Sequence, residues 1–448
     1  MKNVKVVKFG GSSLADARQF KKAADIIKSD ESRRFVVASA PGKRFIEDKK
    51  ITDMLYSCYA NATAGRPFDE EFEEIRSRYN DIISDLKLDL SLDDEFETIR
   101  SAFRHMAGRD YAASRGEFLN GKILAAYLGF NFLDPAGHIY FNSRGEFDWE
   151  KTRDRLVPAL SQLENAVVPG FYGSMPNDTI KTFSRGGSDV TGSIVARAID
   201  ADLYENWTDV SGFLICDPRI VNKPAAIRTI TYRELRELAY MGATVLHEDA
   251  IFPVRSAGIP INIKNTNEPD DPGTMIVSET AETSEFTITG IAGKKGLSVI
   301  NIEKDKMNNE IGFGRNVLRA LEKNEISFEH MPSGVDTMSV VIMSDALKGK
   351  ERNVLEEITN RVHPDVLEIE NNLSLITVVG RGMKSTRGTA AMLFNALAKA
   401  RVNIKMIDQG SSELSIIIGV VEEDFEIAVA AIYEEFVTNR EKQKKSGS

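Results

Sequence analysis

The chain has 448 residues, is 42% hydrophobic, and carries 57 Lys plus Arg against 67 Asp plus Glu, a net charge of −10. That length has room for roughly two to four domains of about 100–200 residues each, and the acidic balance excludes general binding to nucleic acid or to an anionic membrane while leaving room for a local basic pocket for phosphate. Two distant cysteines, five scattered histidines and an N-terminus without an apolar leader give no disulfide framework, metal cage, signal peptide or membrane span, and predict a cytoplasmic protein.

The chain is organised around its opening stretch, V-K-V-V-K-F-G-G-S-S. Val4, Val6, Val7 and Phe9 predict a buried strand, Gly10 and Gly11 end it, and Leu14–Lys28 has the period of an amphipathic helix. Two residues without Cβ let a phosphate approach the backbone, a helix start adds free N–H donors, and Lys8 adds an ammonium beside them. The stretch is neither a Walker A loop nor G-x-G-x-x-G, and a Gly-Gly turn serving only chain reversal is the competing reading.

Arg34–Ser39 predicts a second strand, with Ser39 at the C-terminal end where open α/β sheets place ligands. Lys43–Lys50 is polar and predicts a mobile loop. A helix opens at Ile51, with Thr52 near its start, where a simple helix cap accounts for it. Ala60–Met106 has helical period and predicts a hairpin packed on the sheet. Ser114-Arg115-Gly116-Glu117 fits the capping box S-x-x-E, which is the preferred reading; a carboxylate there could also hold an ammonium.

Asn131–Asp134 and Ala166–Phe171 predict further strands. Thr182–Asp189 (T-F-S-R-G-G-S-D) is a second Gly-Gly turn before a helix from Val190 to Ile199. Arg185 offers a two-pronged donor for carboxylate or phosphate, and Asp189 could cap the helix or bind an amine. Ala201–Trp207 leads to the polar turns Thr208-Asp209-Val210-Ser211-Gly212 and Asp217-Pro218-Arg219, suited to ribose or phosphate. Arg228–Tyr240 predicts a helix and Ile259–Lys264 the last strand of this half.

The second half reads as a tandem β-α-β-β-α-β repeat of about seventy residues. Its strands are Phe286–Ala292, Leu297–Glu303, Ser327–Pro332, Met338–Met343, Val366–Ile369, Leu373–Val379, Asn403–Gln409 and Leu414–Val420. Its helices are Ile311–Lys323, Ala346–Val362, Arg387–Ala400 and Phe425–Phe436. The second copy lacks a closing strand and the first has one to spare, so the first copy is expected to be inserted within the second.

K-F-G-G-S-S, S-R-G-E, S-R-G-G-S-D and T-D-V-S-G…D-P-R, in that order and followed by the tandem repeat, resemble the aspartate kinases of the amino acid kinase family with their two ACT regulatory domains. The resemblance covers nearly the whole chain. It implies an α/β catalytic domain, an open sheet sandwiched by helices, over 1–280. A ferredoxin-like ACT domain is expected over 294–370, a second over 284–293 plus 371–438, and a disordered tail over 439–448.

The resemblance also implies roles. Lys8 would contact the transferring phosphoryl group, with Arg185 and Asp189 completing the catalytic set. Gly10, Gly11 and Ser12 would cradle the phosphates of ATP. Ser39, Thr52, Glu117, Arg185 and Ser188 would hold L-aspartate. Thr208, Asp209, Asp217 and Arg219 would line the nucleotide site. No metal ligand of the protein's own is singled out; Mg2+ would arrive with the nucleotide. An inhibitory amino acid, lysine ahead of threonine, would bind at Met307, Gly312, Phe313 and Gly314 in the loop before the first ACT helix, with Val335 and Asp336 alongside. Pairing of ACT domains implies a homodimer or homotetramer.

The chain departs from the family's common pattern at Ser211, Leu214, Thr244 and Glu248. The competing functions are a kinase for another small acid and a non-catalytic amino-acid sensor. Lys8 and Arg185, both retained, speak against the sensor. A bifunctional enzyme with a homoserine dehydrogenase half is disfavoured.

Overall fold

The computed structural model describes residues 4–184, 186–243, 246, 248–280 and 285–440. They fall into two compact units, one of residues 1–213, 226–233 and 244–281, the other of 214–225, 234–243 and 282–448.

In the first unit, β1 (Lys5–Phe9) runs into a 3-10 turn, Gly11–Leu14, and then α1 (Ala17–Lys28). The single helix expected from Leu14 is thus two pieces, because the Asp16 carboxylate accepts the Gln19 amide and starts α1 afresh. Next come β2 (Arg33–Ala38), α2 (Ile51–Thr63), α3 (Asp69–Asp85), α4 (Asp93–Arg104) and α5 (Arg109–Leu128). β3 (Asn131–Phe132), α6 (Trp149–Ser161) and β4 (Ala166–Pro169) follow. β5 (Tyr172–Ser174) then pairs antiparallel with β6 (Ile180–Thr182) in a hairpin the sequence does not announce. The first half closes with α7 (Gly187–Ala198), β7 (Leu203–Thr208), β8 (Thr229–Thr231), α8 (Tyr232–Tyr240), α9 (Glu248–Ala257), β9 (Ile261–Asn265) and β10 (Thr274–Val277).

Eight of these strands form one sheet in the order β3-β4-β2-β1-β7-β9-β10-β8. Neighbours are parallel except β9 with β10. Two expectations are corrected here. β9 is not the last strand, since Gly273 at φ +69° turns the chain back into β10. The helix expected from Arg228 begins at Tyr232, because the β-branched run Thr229-Ile230-Thr231 pairs with β10 instead.

Side chains alternate between the faces of a strand. Val7 and Phe9, with Val36, Ala38 and Val167, join Phe20, Leu55, Phe72, Tyr79, Phe96 and Leu119 from α1 to α5 in one core. Lys8, one residue out of phase, points to the opposite face, where α7 packs. Gly192 lets α7 come close, since a Cβ there would lie 2.4 Å from the Tyr204 hydroxyl.

The second unit contains β11 (Gly290–Glu303), α10 (Phe313–Lys323), β12 (Thr337–Met343), α11 (Ser344–Leu347), α12 (Glu351–Val362) and β13 (Val366–Val379). It continues with α13 (Thr389–Lys399), β14 (Met406–Asp408), β15 (Ser415–Val421) and α14 (Phe425–Tyr433). One antiparallel sheet runs in the order β12-β11-β13-β15-β14. Gly290–Lys294 pairs with Leu375–Val379, whereas Leu297–Glu303 pairs with both β12 and the first half of β13. The register breaks between those stretches, at Gly296 with φ +71°.

The strand expected at Ser327–Pro332 is reduced to single bridges such as His330 with Val341. The helix expected over Ala346–Val362 is divided by Gly349 at φ +79°. Ile300, Ile302, Phe313, Val317, Val340 and Ile358 form the core beneath α10 and α12.

Residues 214–225 and 234–243 pack within this second unit, unlike the expected division at residue 280. The Ile291 amide donates to the Ile215 carbonyl (2.6 Å), and the Ala225 amide to the Tyr433 hydroxyl (2.8 Å). Glu234, fully buried, accepts from Thr289 Oγ1 (2.6 Å), the Arg381 amide (2.9 Å) and Arg381 Nη1 (3.0 Å on Oε2). The tail is not wholly disordered: Asn439 and Arg440 are helical, and Arg440 Nη1 donates to Thr287 Oγ1 (3.1 Å). Residues 441–448 lie outside the described residues. Among the described residues, no helix is long and apolar enough to cross a membrane.

Candidate active site

The strand order sends the chain both ways from β1: β2 and β4 lie on one side and β7 on the other. Such a switch point leaves a crevice beyond the C-terminal ends of the strands. The residues that follow three of those strands are stitched together there. The Gly10 amide donates to the Trp207 carbonyl (3.0 Å), the Ser39 amide to the Phe9 carbonyl (3.2 Å) and the Gly170 amide to the Ala38 carbonyl (2.9 Å). Ser188, buried in the first turn of α7, lies against Gly170, where a Cβ would stand 2.5 Å from its hydroxyl oxygen. Gly186, at φ +56°, caps that helix.

Lys8 is 7% exposed and forms an ion pair with Asp189, Nζ to Oδ1 at 2.6 Å. β-pairing sets Lys8 opposite Asn206 of β7. The Asn206 amide nitrogen donates to Asp189 Oδ1 (2.9 Å) and its oxygen accepts from Lys8 (3.4 Å). Asp189 thus binds a cation, which is one of its two expected roles. A Cβ on Gly10 would stand 3.6 Å from Lys8 Nζ, so the ammonium borders the glycine turn. Gly11 is packed more tightly: a Cβ there would lie 2.9 Å from the Ala40 carbonyl oxygen. Ser12 follows in the 3-10 turn.

Glu117 stands apart. Ser114 and Glu117 do not form the expected capping box, because α5 begins five residues before Ser114, after Gly108 at φ +110°. Ser114 Oγ instead donates to the Tyr111 carbonyl (2.7 Å), and Glu117 projects from mid-helix. Gly116 lets α5 approach Ala40, where a Cβ would come within 2.8 Å of the Ala40 Cβ. One turn on, Asn120 Nδ2 donates to the Ser39 carbonyl (2.7 Å). Glu117 is buried and its Oε2 has no hydrogen-bond partner among the described residues. Burial lifts its carboxyl to about 8, only partly offset by the Ala40 amide and by Arg115. Once ionised, a buried carboxylate with an open oxygen can accept from an ammonium group, whose charge in turn favours that ionisation.

Thr52 is the second residue of α2, whose N-cap is Lys50 rather than Thr52. Lys43–Lys50, expected to be mobile, is tied internally: Asp48 accepts from the Arg44 amide (2.9 Å) and Arg44 Nε (2.8 Å). Thr208 ends β7, and its hydroxyl donates to the exposed Asp209 (3.1 Å). Ser211 bridges Glu268 and Asn265 (2.8 and 3.0 Å), and Leu214 is exposed. In the second unit, Asp217 accepts from Arg219, Nη2 to Oδ2 at 2.6 Å, and that guanidinium holds its carboxyl below the usual range. Arg185, Thr244 and His247 lie outside the described residues, as do the side chains of Glu248 and Asp249.

The residues expected to bind an effector converge on one turn. Met307, buried, opens the 3-10 turn Met307–Asn309. The Lys306 amide donates to Asp336 Oδ1 (2.8 Å), and the Asn308 amide to the Val335 carbonyl (3.2 Å). Gly312, at φ +86°, caps α10 ahead of the buried Phe313 and the half-buried Gly314. Ile311 is fully exposed and Val335 is 65% exposed.

Asn206 escapes a reading of the sequence because L-Y-E-N-W-T passes as an ordinary strand. Its signal is a polar residue at the alternating position that faces the same way as Lys8.

Residues 3–265 match the amino acid kinase family, and residues 376–436 match an ACT domain. Aspartokinase 3 of Bacillus subtilis is 40% identical, covering 97% of this chain and 98% of that protein. The crystal structure of Clostridium acetobutylicum aspartate kinase is 53% identical with a TM-score of 0.89, covering 97% of this chain and 100% of that one. E. coli aspartokinase III in complex with aspartate and ADP, described as the R-state, is 25% identical with a TM-score of 0.72, covering 97% and 99%. The same enzyme with lysine and aspartate, the T-state, has a TM-score of 0.73. The crevice, its buried lysine and the ACT unit therefore sit in a chain that belongs to the aspartokinases of the amino acid kinase family.

Proposed function

We propose that the chain transfers the γ-phosphoryl group of MgATP to the β-carboxylate of L-aspartate, giving 4-phospho-L-aspartate and ADP. The observation that carries this reading is the Lys8 ammonium, buried against Asp189 and bordering the Gly10 turn at the switch point. The β-carboxylate is ionised at neutral pH, with an ordinary value of ~4. It is already a nucleophile and needs no general base. Its oxygen bonds to the γ-phosphorus as the bond to the bridging oxygen breaks, and ADP leaves with that electron pair. The protein's part is alignment and charge neutralisation.

Lys8 neutralises the phosphoryl oxygens, with Asp189 and Asn206 aiming it. The amides of Gly11 and Ser12 hold the phosphate chain, and Gly10, whose own amide is bound to the Trp207 carbonyl, lets it approach the backbone. Arg185 clamps the aspartate α-carboxylate, Ser39, Thr52 and Ser188 line its pocket, and Glu117 takes its ammonium. Thr208 and Asp209 contact the nucleoside end. Mg2+ bound with ATP would supply charge neutralisation of the triphosphate beside Lys8. Two free, buried cysteines suit a reducing cytoplasm.

Feedback inhibition by lysine is part of the reading. The Lys306–Arg315 loop, with Met307, Gly312, Phe313 and Gly314, takes the amino acid beside Val335 and Asp336; E. coli aspartokinase III has been solved in complex with lysine and aspartate in its T-state. Exposed Ile311 and Val335 serve the pairing of ACT domains in a homodimer or homotetramer.

ADP release coupled to trapping of the acyl phosphate by hydroxylamine tests the reaction. Aspartate supports turnover, glutamate and acetylglutamate do not, and lysine suppresses it. Turnover without aspartate dependence refutes the assignment.

A further inference from the structure

Arg78 lies in the middle of α3, in a helical hairpin that the reaction does not otherwise use. It is 6% exposed, an uncommon place for a guanidinium. Its two terminal nitrogens donate to two backbone carbonyls, Nη1 to Lys49 (2.7 Å) and Nη2 to Gly42 (2.8 Å). Asp48 stands 3.5 Å from Nη2 and balances its charge. The fork thus fastens both ends of the 42–49 loop.

Gly42 leads directly to the glycine turn. Its amide donates to the Gly11 carbonyl (2.8 Å). The backbones touch so closely that a Cβ on Gly42 would lie 2.6 Å from the Gly11 carbonyl carbon and 2.7 Å from the Ser12 nitrogen. The Gly42 residue is therefore clamped between Arg78 on its carbonyl side and Gly11 on its amide side. The direction of the Gly11–Ser12 amides depends on where that clamp sits.

We infer that Arg78 is a positioning residue for the phosphate turn, acting through Gly42 on the amides of Gly11 and Ser12. This rests on the reading above that the turn holds the ATP phosphates. Arg44 supplies the control: it shares Asp48, and its side-chain hydrogen bonds go to that carboxylate rather than to Gly42. A charge effect on the loop moves with either arginine, whereas a positioning effect moves with Arg78 alone.

The experiment measures KM for MgATP, KM for aspartate and kcat in the full-length chain for Arg78→Met, Arg78→Lys, Gly42→Ala, Arg44→Met and Lys8→Ala, with melting curves for each. Arg78→Met raises KM for MgATP tenfold or more and changes KM for aspartate less than threefold. Arg78→Lys, reaching one carbonyl instead of two, recovers part of the loss. Gly42→Ala, which presses on Gly11 from the other side, gives the same MgATP defect and decides the matter where Arg78→Met does not fold. Arg44→Met stays within twofold of the parent. The inference is overturned if Arg78→Met and Gly42→Ala keep the parent KM for MgATP, or if Arg44→Met matches Arg78→Met. Lys8→Ala separates the two levels: full activity in that variant sinks the reading of the phosphate corner itself, whereas its inactivity beside a normal Gly42→Ala sinks only the role of Arg78.

Discussion

Two carboxylates mark opposite designs in the same crevice. Asp189 is paired: it holds Lys8 at 2.6 Å and is held in turn by Asn206. Glu117 is buried with one oxygen open and its carboxyl lifted to about 8. The first arrangement keeps a cation in place before an anionic ligand arrives. The second leaves a buried carboxyl oxygen without a partner among the described residues. The proposed reaction, which joins an acceptor amino acid and a triphosphate, would use that asymmetry, and it makes the two carboxylates non-interchangeable.

The contrast breaks most visibly at the paired end. Lys8→Ala removes the preorganised cation and lowers kcat by about 10²–10³ or more, with a folded protein by circular dichroism; a folded variant near parental activity ends the role given to Lys8. At the open end, at a pH above 8 where the parent carboxyl is ionised, Glu117→Gln keeps shape and loses charge. KM for aspartate rises by roughly 10–100-fold, the value of a hydrogen bond to a charged group, while KM for MgATP stays nearly constant. An equal rise in both constants would merge the two ends.

The open carboxyl also has a stability signature. Its folded value, about 8, exceeds the ordinary 4.5, so across that window the folded protein holds a proton that the unfolded chain has released. Stability of the ligand-free protein therefore falls as pH rises through the window, at most by about 1.4 kcal/mol per pH unit. Glu117→Gln lacks that term, so denaturant unfolding should find it increasingly more stable than the parent from pH 5 to pH 8. Parallel curves would mean that Glu117 titrates normally. The smallest effect lies outside the crevice: Asp336→Ala loosens the Lys306 turn, leaves kcat and both KM values unchanged, and raises the lysine concentration for half-inhibition a few-fold. A change in kcat would place Asp336 outside the regulatory turn.

Much of this molecule is legible in its sequence where local chemistry and position agree. V-K-V-V-K-F-G-G makes a strand and a turn because alternating apolar residues meet two glycines, and Lys8 faces away from the core by simple alternation. The S-R-G-E stretch misleads for a physical reason. The pattern of a capping box says nothing about how far upstream a helix starts, and Arg109–Ala113 are already helical. The loop 43–50 reads as mobile from its charges alone, since what ties it down, Arg78, comes about thirty residues later in a helix full of other charges. Residues 214–225 and 234–243 follow the second unit through contacts such as Glu234 with Arg381, which no local pattern displays.

The most direct test of the account is the pH dependence of KM for aspartate in the parent and in Glu117→Gln, with MgATP saturating. The account predicts that the parent loses aspartate affinity as pH falls below 8, by up to about tenfold per unit, while the variant is weak and flat over the same range. The same slope in both proteins would contradict it, for the group that receives the substrate's ammonium would then be some residue other than Glu117.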